Sequence, residues 1–308
     1  MRQAALNLIF EMSLVDSRVV FIGSDLGAGT LKNMKSQVPE RFFMEGIAEQ
    51  YMVGFAAGLS KEGFIPFLNT IGTFLTRRAY EQIMIDVCLH NLPVRILGSG
   101  GGMVYAPLGP THTSVDDFSL MLNIPNLKVF APADANEMKS VLESSLHDNS
   151  PYYIRIGKGG EEIVTDLETK NPDKPKIFGQ MQSRVIICTT GVLLQHALKA
   201  SEMLKSREIE TSVIHFPCLS EIDLVKLKSM LQSASLILVA EEHIPRGGLF
   251  TQILESMYAN SISVLNLRNL ALPFSFIHKY GSQNDHLIEY KLDSNGMYTF
   301  IVENLNTL

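Results

Sequence analysis

The chain has 308 residues, 46% of them hydrophobic and 19% charged, with a formal net charge of -6. That length suits two domains of about 150 residues. The apolar content allows large cores and excludes global disorder, and the acidic balance leaves no basic footprint for nucleic acid.

Three widely spaced cysteines, Cys88, Cys188 and Cys218, form neither a CxxC nor a Cys/His metal pattern. Cys188 and Cys218 stand in apolar runs, which reads as buried free thiols in a reducing compartment. The N-terminal stretch MRQAALNLIFEMSLVDSR is amphipathic and carries acids, without the apolar core of a signal peptide. No apolar run reaches the roughly 18 residues of a membrane span. A cytoplasmic chain is the expectation.

In chain order, runs rich in β-branched and aromatic residues predict strands over 19–22, 64–68, 94–97, 127–130 and 152–156. Apolar residues at helical spacing predict helices over 46–60, 74–89, 114–122 and 135–146 between them. A further helix with an apolar stripe at Ala5, Leu8, Ile9 and Met12 docks the N-terminus. From 157 to 182 the composition turns to Gly, Pro and charge, a linker. A second series comes next, with strands over 185–189, 211–216, 236–240 and 262–267 and helices over 192–204, 221–231 and 248–257. Alternating strands and helices predict an α/β fold of two open, mostly parallel sheets covered on both faces. The domains are expected at 1–160 and 183–308, joined by a linker over 161–182.

Ligands of such sheets bind at the carboxyl ends of the strands, so the segments after the strands carry the candidates. Gly98-Ser99-Gly100-Gly101-Gly102 lacks the third glycine of GxGxxG and any GK[ST], so it reads as a place where backbone is closely approached. His112, in Gly109-Pro110-Thr111-His112, is a structural hydrogen-bonder or a proton carrier near neutral pH. Glu45 and Glu49 suit the first turn of a helix. Glu49 also precedes the small-residue run Gly54-Phe55-Ala56-Ala57-Gly58, and a carboxyl entering so tight a place could hold or hand over a proton. Phe74 is either a core residue or a platform for a flat ring.

Together these segments resemble one family. Gly46-Ile47-Ala48-Glu49-Gln50 is similar to the GIAEQ segment of deoxyxylulose-phosphate synthase and the GVREH segment of transketolase. Thr73-Phe74-Leu75 with Arg77 resembles the synthase's TFLQR. Gly109-Pro110-Thr111-His112 resembles the family's DGPTH region. Downstream, Asn123-Ile124-Pro125-Asn126 and Ala131-Pro132-Ala133-Asp134 resemble its IPN and P-x-D segments. Glu241-Glu242-His243 with Gly247-Gly248-Leu249 resembles a turn of the family's C-terminal domain.

The resemblance implies a thiamine-diphosphate pyrimidine-binding domain followed by a transketolase C-terminal domain. The GDG…Asn magnesium signature of the family's first domain is absent from these residues. Diphosphate and Mg2+ are therefore expected on a separate N-terminal subunit, in an α2β2 assembly. The resemblance gives Glu49 the hydrogen bond to the aminopyrimidine, Phe74 the stack on that ring, and Asp25 and Arg77 places near the cofactor. It sets His112 facing the substrate and makes Arg2 and Arg155 the grip on a sugar phosphate. Two departures bear on the substrate. Leu108 stands where transketolases carry aspartate, and Gly27-Ala28-Gly29 replaces a segment with a phosphate-binding serine.

Three functions stay open at this point. The first is two-carbon ketol transfer between sugars or sugar phosphates by a split transketolase-like enzyme. The second is the β subunit of the decarboxylating component of a 2-oxo acid dehydrogenase, or an acyloin-forming synthase. The third is a non-catalytic interaction subunit.

Overall fold

The computed structural model describes residues 1–24, 29, 31–166 and 171–306. The first sheet is built from β1 (Val19–Gly23), β2 (Phe42–Met44), β3 (Ile65–Ile71), β4 (Arg95–Ser99), β5 (Lys128–Phe130) and β6 (Tyr152–Ile156). Its order is β2-β1-β3-β4-β6-β5, and every pairing is parallel. β1, β4 and β6 are buried along their whole length, as strands covered on both faces must be. The N-terminal helix Arg2–Val15 buries Ala5, Leu8, Ile9 and Met12, the expected stripe, in one of the cores.

The second sheet holds β7 (Lys176–Phe178), β8 (Val185–Thr189), β9 (Thr211–His215), β10 (Leu236–Glu241) and β11 (Leu267–Ala271) in the order β11-β10-β8-β9-β7. It is parallel except for β7, which runs antiparallel along β9. The α/β reading with two mostly parallel sheets is therefore correct.

Several details differ from the sequence reading, among them β2 and the C-terminal helices, which the pattern did not pick out. β7 lies inside the segment read as linker, so the second sheet begins at Lys176. The last strand is Leu267–Ala271 and not 262–267, because the Ile262 N–H still closes the preceding helix end on the Met257 carbonyl, and pairing with β10 starts only at Leu267. The helix expected over 74–89 is broken. Gly72–Arg78 is followed by a short turn at Tyr80–Gln82 and then by a π-helical stretch, Ile83–Cys88.

The two sheets share their packing. One apolar cluster runs from Ile22, Leu68 and Ile96 of the first to Ile186, Ile214 and Val239 of the second. The chain also pairs across the boundary, the Ala131 N–H donating to the Pro217 carbonyl and the Leu219 N–H to the Val129 carbonyl, at 2.8 and 2.9 Å. All three cysteines are free and buried, and burial pushes the Cys88 and Cys188 thiols up to about 12. Among the described residues no helix is long and apolar enough to cross a membrane.

Candidate active site

The carboxyl ends of β1, β3 and β4 face the segments that carry the candidates. Glu49 is the first residue of the helix Glu49–Lys61, where the helix dipole favours an acid. Its side chain is only 1% exposed. A buried carboxylate needs a compensating partner, and here the partner is Arg78, whose Nη1 donates to Oε2. The guanidinium of Arg78 also lies over the Phe74 ring, 4.6 Å from its centroid. Phe74 and Arg78 stand four residues apart on the helix Gly72–Arg78, hence on one face. The His112 imidazole meets the same ring edge-on, with centroids 5.2 Å apart, and its Nδ1 is 2.9 Å from the Thr111 hydroxyl. The fold thus joins three residues singled out in the sequence, Glu49, Phe74 and His112, through a fourth that was not, Arg78.

Arg77 goes elsewhere. It forms a two-pronged pair with Asp116, Nε to Oδ2 at 3.0 Å and Nη2 to Oδ1 at 2.7 Å, beside the Thr113 carbonyl. The helical turn separates the adjacent arginines, and the place near the acid belongs to Arg78. The i, i+4 spacing from Phe74 was the available signal. Asp25, the remaining cofactor-side candidate, lies outside the described residues.

Arg155 and Arg2 flank the glycine-rich loop after β4. Arg155 donates from Nε to Asp117 Oδ2 at 2.8 Å and from Nη2 to Asp117 Oδ1, and it reaches the Ser114 and Glu242 carbonyls at 3.1 Å each. Its guanidinium stacks on Phe118 at 3.7 Å. In this structure the fork expected to grip a phosphate clasps Asp117. Tyr153 adds a hydroxyl donor to the same carboxylate at 2.7 Å. Burial pushes the Asp117 carboxyl up, but the Arg155 guanidinium more than offsets this and holds it below the usual range. Arg2 donates from Nη1 to the Tyr105 hydroxyl at 3.1 Å.

The glycine loop has the close approach its composition suggested. Gly102 has φ +63°, and a Cβ there would sit 2.3 Å from the carboxyl carbon of Glu242 in the second domain. Glu242 accepts from the Met103 N–H at 2.8 Å and from Gln283, and burial raises its pKa. The Glu241-Glu242-His243 turn is thus where the second domain clamps the first. Glu241 caps the helix Leu249–Ala259 through the Leu249 N–H at 2.7 Å, and burial pushes its carboxyl up to about 7. His243 stacks on Phe118, and burial pushes it down to about 4. Among the described residues no cluster of three or more His, Cys, Asp or Glu could hold a metal ion.

A buried acid, an aromatic ring and an imidazole thus stand together near the strand ends of an open parallel sheet, where ligands of such sheets bind. The family comparison agrees. Residues 1–160 match the family described as transketolase, pyrimidine binding domain, and residues 177–297 match transketolase, C-terminal domain; the chain belongs to the transketolase family. It is 33% identical over 281 residues to the 1-deoxy-D-xylulose-5-phosphate synthase of Dictyoglomus turgidum, covering 90% of this chain and 44% of the relative. To the synthase of Natranaerobius thermophilus it is 33% identical over 301 residues, covering 96% and 47%. The chain spans less than half the length of these curated relatives. A solved split-gene transketolase, an inactive β4 tetramer, superposes with a TM-score of 0.87 at 28% identity, covering 99% of this chain and 97% of that one. The transketolase of Campylobacter jejuni shares the fold, with a TM-score of 0.80 at 16% identity, covering 98% of this chain and 46% of that one. Transketolases and deoxyxylulose-phosphate synthases are thiamine-diphosphate-dependent enzymes.

Proposed function

We propose that this chain is the pyrimidine-side (β) subunit of a two-chain, thiamine-diphosphate-dependent enzyme that transfers a two-carbon ketol unit between sugars or sugar phosphates. One observation carries the reading: the buried Glu49 carboxyl, the Phe74 ring and the His112 imidazole converge on one place. The full-length likeness to a split-gene transketolase chain supports the two-chain organisation.

The residues present fit the pyrimidine half of the cofactor. Phe74 gives its face, and Glu49 gives a carboxyl that can pass a proton to a ring nitrogen. When bound, thiamine diphosphate supplies a carbon nucleophile that carries the two-carbon unit. Glu49 holds the proton at the aminopyrimidine nitrogen, and the helix start and close packing around it keep water away. His112, next to Phe74, is placed to donate to or accept from an oxygen of the substrate. Diphosphate and Mg2+ belong to the partner subunit, and the assembly is α2β2. With Arg155 held by Asp117 and Leu108 in place of aspartate, an unphosphorylated or nucleotide-linked sugar suits this site as well as a sugar phosphate.

A second reading, an acyloin-forming synthase that takes a 2-oxo acid as donor, is favoured by the 33% identity to deoxyxylulose-phosphate synthases. One experiment tests both. The chain is co-purified with a partner carrying the diphosphate-binding domain, and donors are screened with thiamine diphosphate and Mg2+. Turnover of a ketose without carbon dioxide release supports ketol transfer, and release of carbon dioxide from pyruvate supports the synthase. Failure of such a partner to bind the chain at all refutes the two-chain proposal.

A further inference from the structure

Resting on the assignment of Glu49 and Phe74 as the seat of the pyrimidine ring, we infer that Arg78 closes that seat in the free chain and that the ring enters by displacing it. A single side chain occupies both contacts the ring needs. Its Nη1 donates to Glu49, and its planar guanidinium covers the Phe74 ring at 4.6 Å. A guanidinium and an aminopyrimidine are flat layers of similar thickness, so the two cannot share that face.

The burial of the two partners sets which one yields. The Glu49 side chain is 1% exposed, whereas the Arg78 side chain keeps 44% of its surface in solvent. An exposed guanidinium that swings out is rehydrated at once, so the pair opens from the arginine side. The contact also does necessary work before the ring arrives. Without it the carboxylate would be an uncompensated buried charge.

The exchange has a chemical consequence. Arginine only donates hydrogen bonds and never gives up its proton. A ring nitrogen accepts. Once the guanidinium has left, the buried carboxylate takes up one proton from solvent and shares it with the ring nitrogen, which is the arrangement the proposed chemistry requires. Arg78 is thus a positioning residue that keeps Glu49 in register and is traded for the ring.

The test is calorimetric titration of thiamine diphosphate with Mg2+ into the full chain as wild type, Arg78→Ala, Arg78→Lys and the double variant Phe74→Ala/Arg78→Ala, each checked for folding by circular dichroism. The wild type should bind weakly. Arg78→Ala should bind about tenfold tighter or more, and adding Phe74→Ala should erase the gain. Arg78→Lys keeps a cation for Glu49 but has no flat fork to lie on Phe74, so it should gain less in the same direction. If Arg78→Ala binds no tighter than wild type, or neither binds detectably, the closure is wrong. If Arg78→Ala does not fold, absence of a gain in Arg78→Lys overturns it equally. Wild-type binding that is lost in a single Phe74→Ala variant without any gain on changing Arg78 would leave the ring seat standing and remove only the closure. A gain indifferent to Phe74 would refute both.

Discussion

Glu49 is the residue on which the proposed chemistry rests. Glu49→Gln keeps the shape and the bond from Arg78 but cannot supply an acidic proton. In the reconstituted enzyme it should lose about 10²–10⁴ in kcat, with the circular dichroism spectrum unchanged. Turnover at the wild-type rate would take Glu49 out of the mechanism. Arg155 makes the opposite prediction. Because it compensates the fully buried Asp117, Arg155→Ala should destabilise the chain by about 3–5 kcal/mol in urea unfolding. Kinetic runs with a phosphorylated sugar and its dephosphorylated form should show equal losses. A KM rise confined to the phosphorylated substrate would restore Arg155 as a phosphate ligand. At this scale the sequence marks Glu49, Phe74 and His112 but favours Arg77 over Arg78, since neighbouring arginines are told apart only by the rotation of the helix that carries them.

Among the elements, the helix Glu49–Lys61 has two unlike faces. Met52, Val53, Ala56 and Ala57 are buried. On the other side Tyr51 is 56% exposed and stacks on Phe55 at 5.9 Å, and a Cβ at Gly58 would meet nothing within 4 Å; Ile47, just before the helix, is 69% exposed. An exposed apolar and small-residue face beside the site suits a contact with another subunit. Tyr51→Glu or Gly58→Leu should therefore lower the assembly state seen by light scattering in the presence of the partner while leaving the thermal midpoint of the isolated chain within a few degrees. An unchanged particle mass would place the contact elsewhere. The elements that differ from the sequence reading have local causes. β7 is only three residues long and is recruited by β9. Ile262 and Val264 have strand-forming side chains but follow a helix end that turns through Ser261 at φ +54°. The helix Gln283–Glu289 is too short to show a clear apolar period, although Ser282 and Asp285 form a capping box that the sequence carries openly.

In the whole molecule, the two domains meet through buried charge as well as apolar packing. Asp117, Arg155, Glu242 and His243 meet at their boundary, next to Glu241. Glu241 gives the arrangement a pH signature. Burial pushes its carboxyl up, and the Leu249 and Phe250 N–H groups pull it back only partly, to about 7 against an ordinary value of 4.5. A raised carboxyl contributes stability that is complete below about pH 4.5 and is lost as the pH rises through about 7. The Glu241→Gln variant should therefore resist a rise from pH 5 to pH 8 better than wild type, by at most about 3 kcal/mol. Parallel pH profiles of the two melting temperatures would show that Glu241 does not titrate in this window.

The α/β class with two mostly parallel sheets and the family were legible in the amino-acid order alone, because strand–helix alternation and in-register motifs are local properties of the chain. Glu49, Phe74 and His112, which the fold brings together, could each be singled out in the sequence, since each stands in a segment next to a recognisable strand. Three outcomes needed the folded arrangement. Arg78 and not Arg77 meets Glu49, Arg155 is held by Asp117, and the glycine loop makes room for Glu242 of the second domain. They depend on which side chains arrive from distant strands and on what is left to neutralise a buried charge. Both are set by packing between segments far apart in the chain and across the domain boundary, which no local pattern of residues encodes.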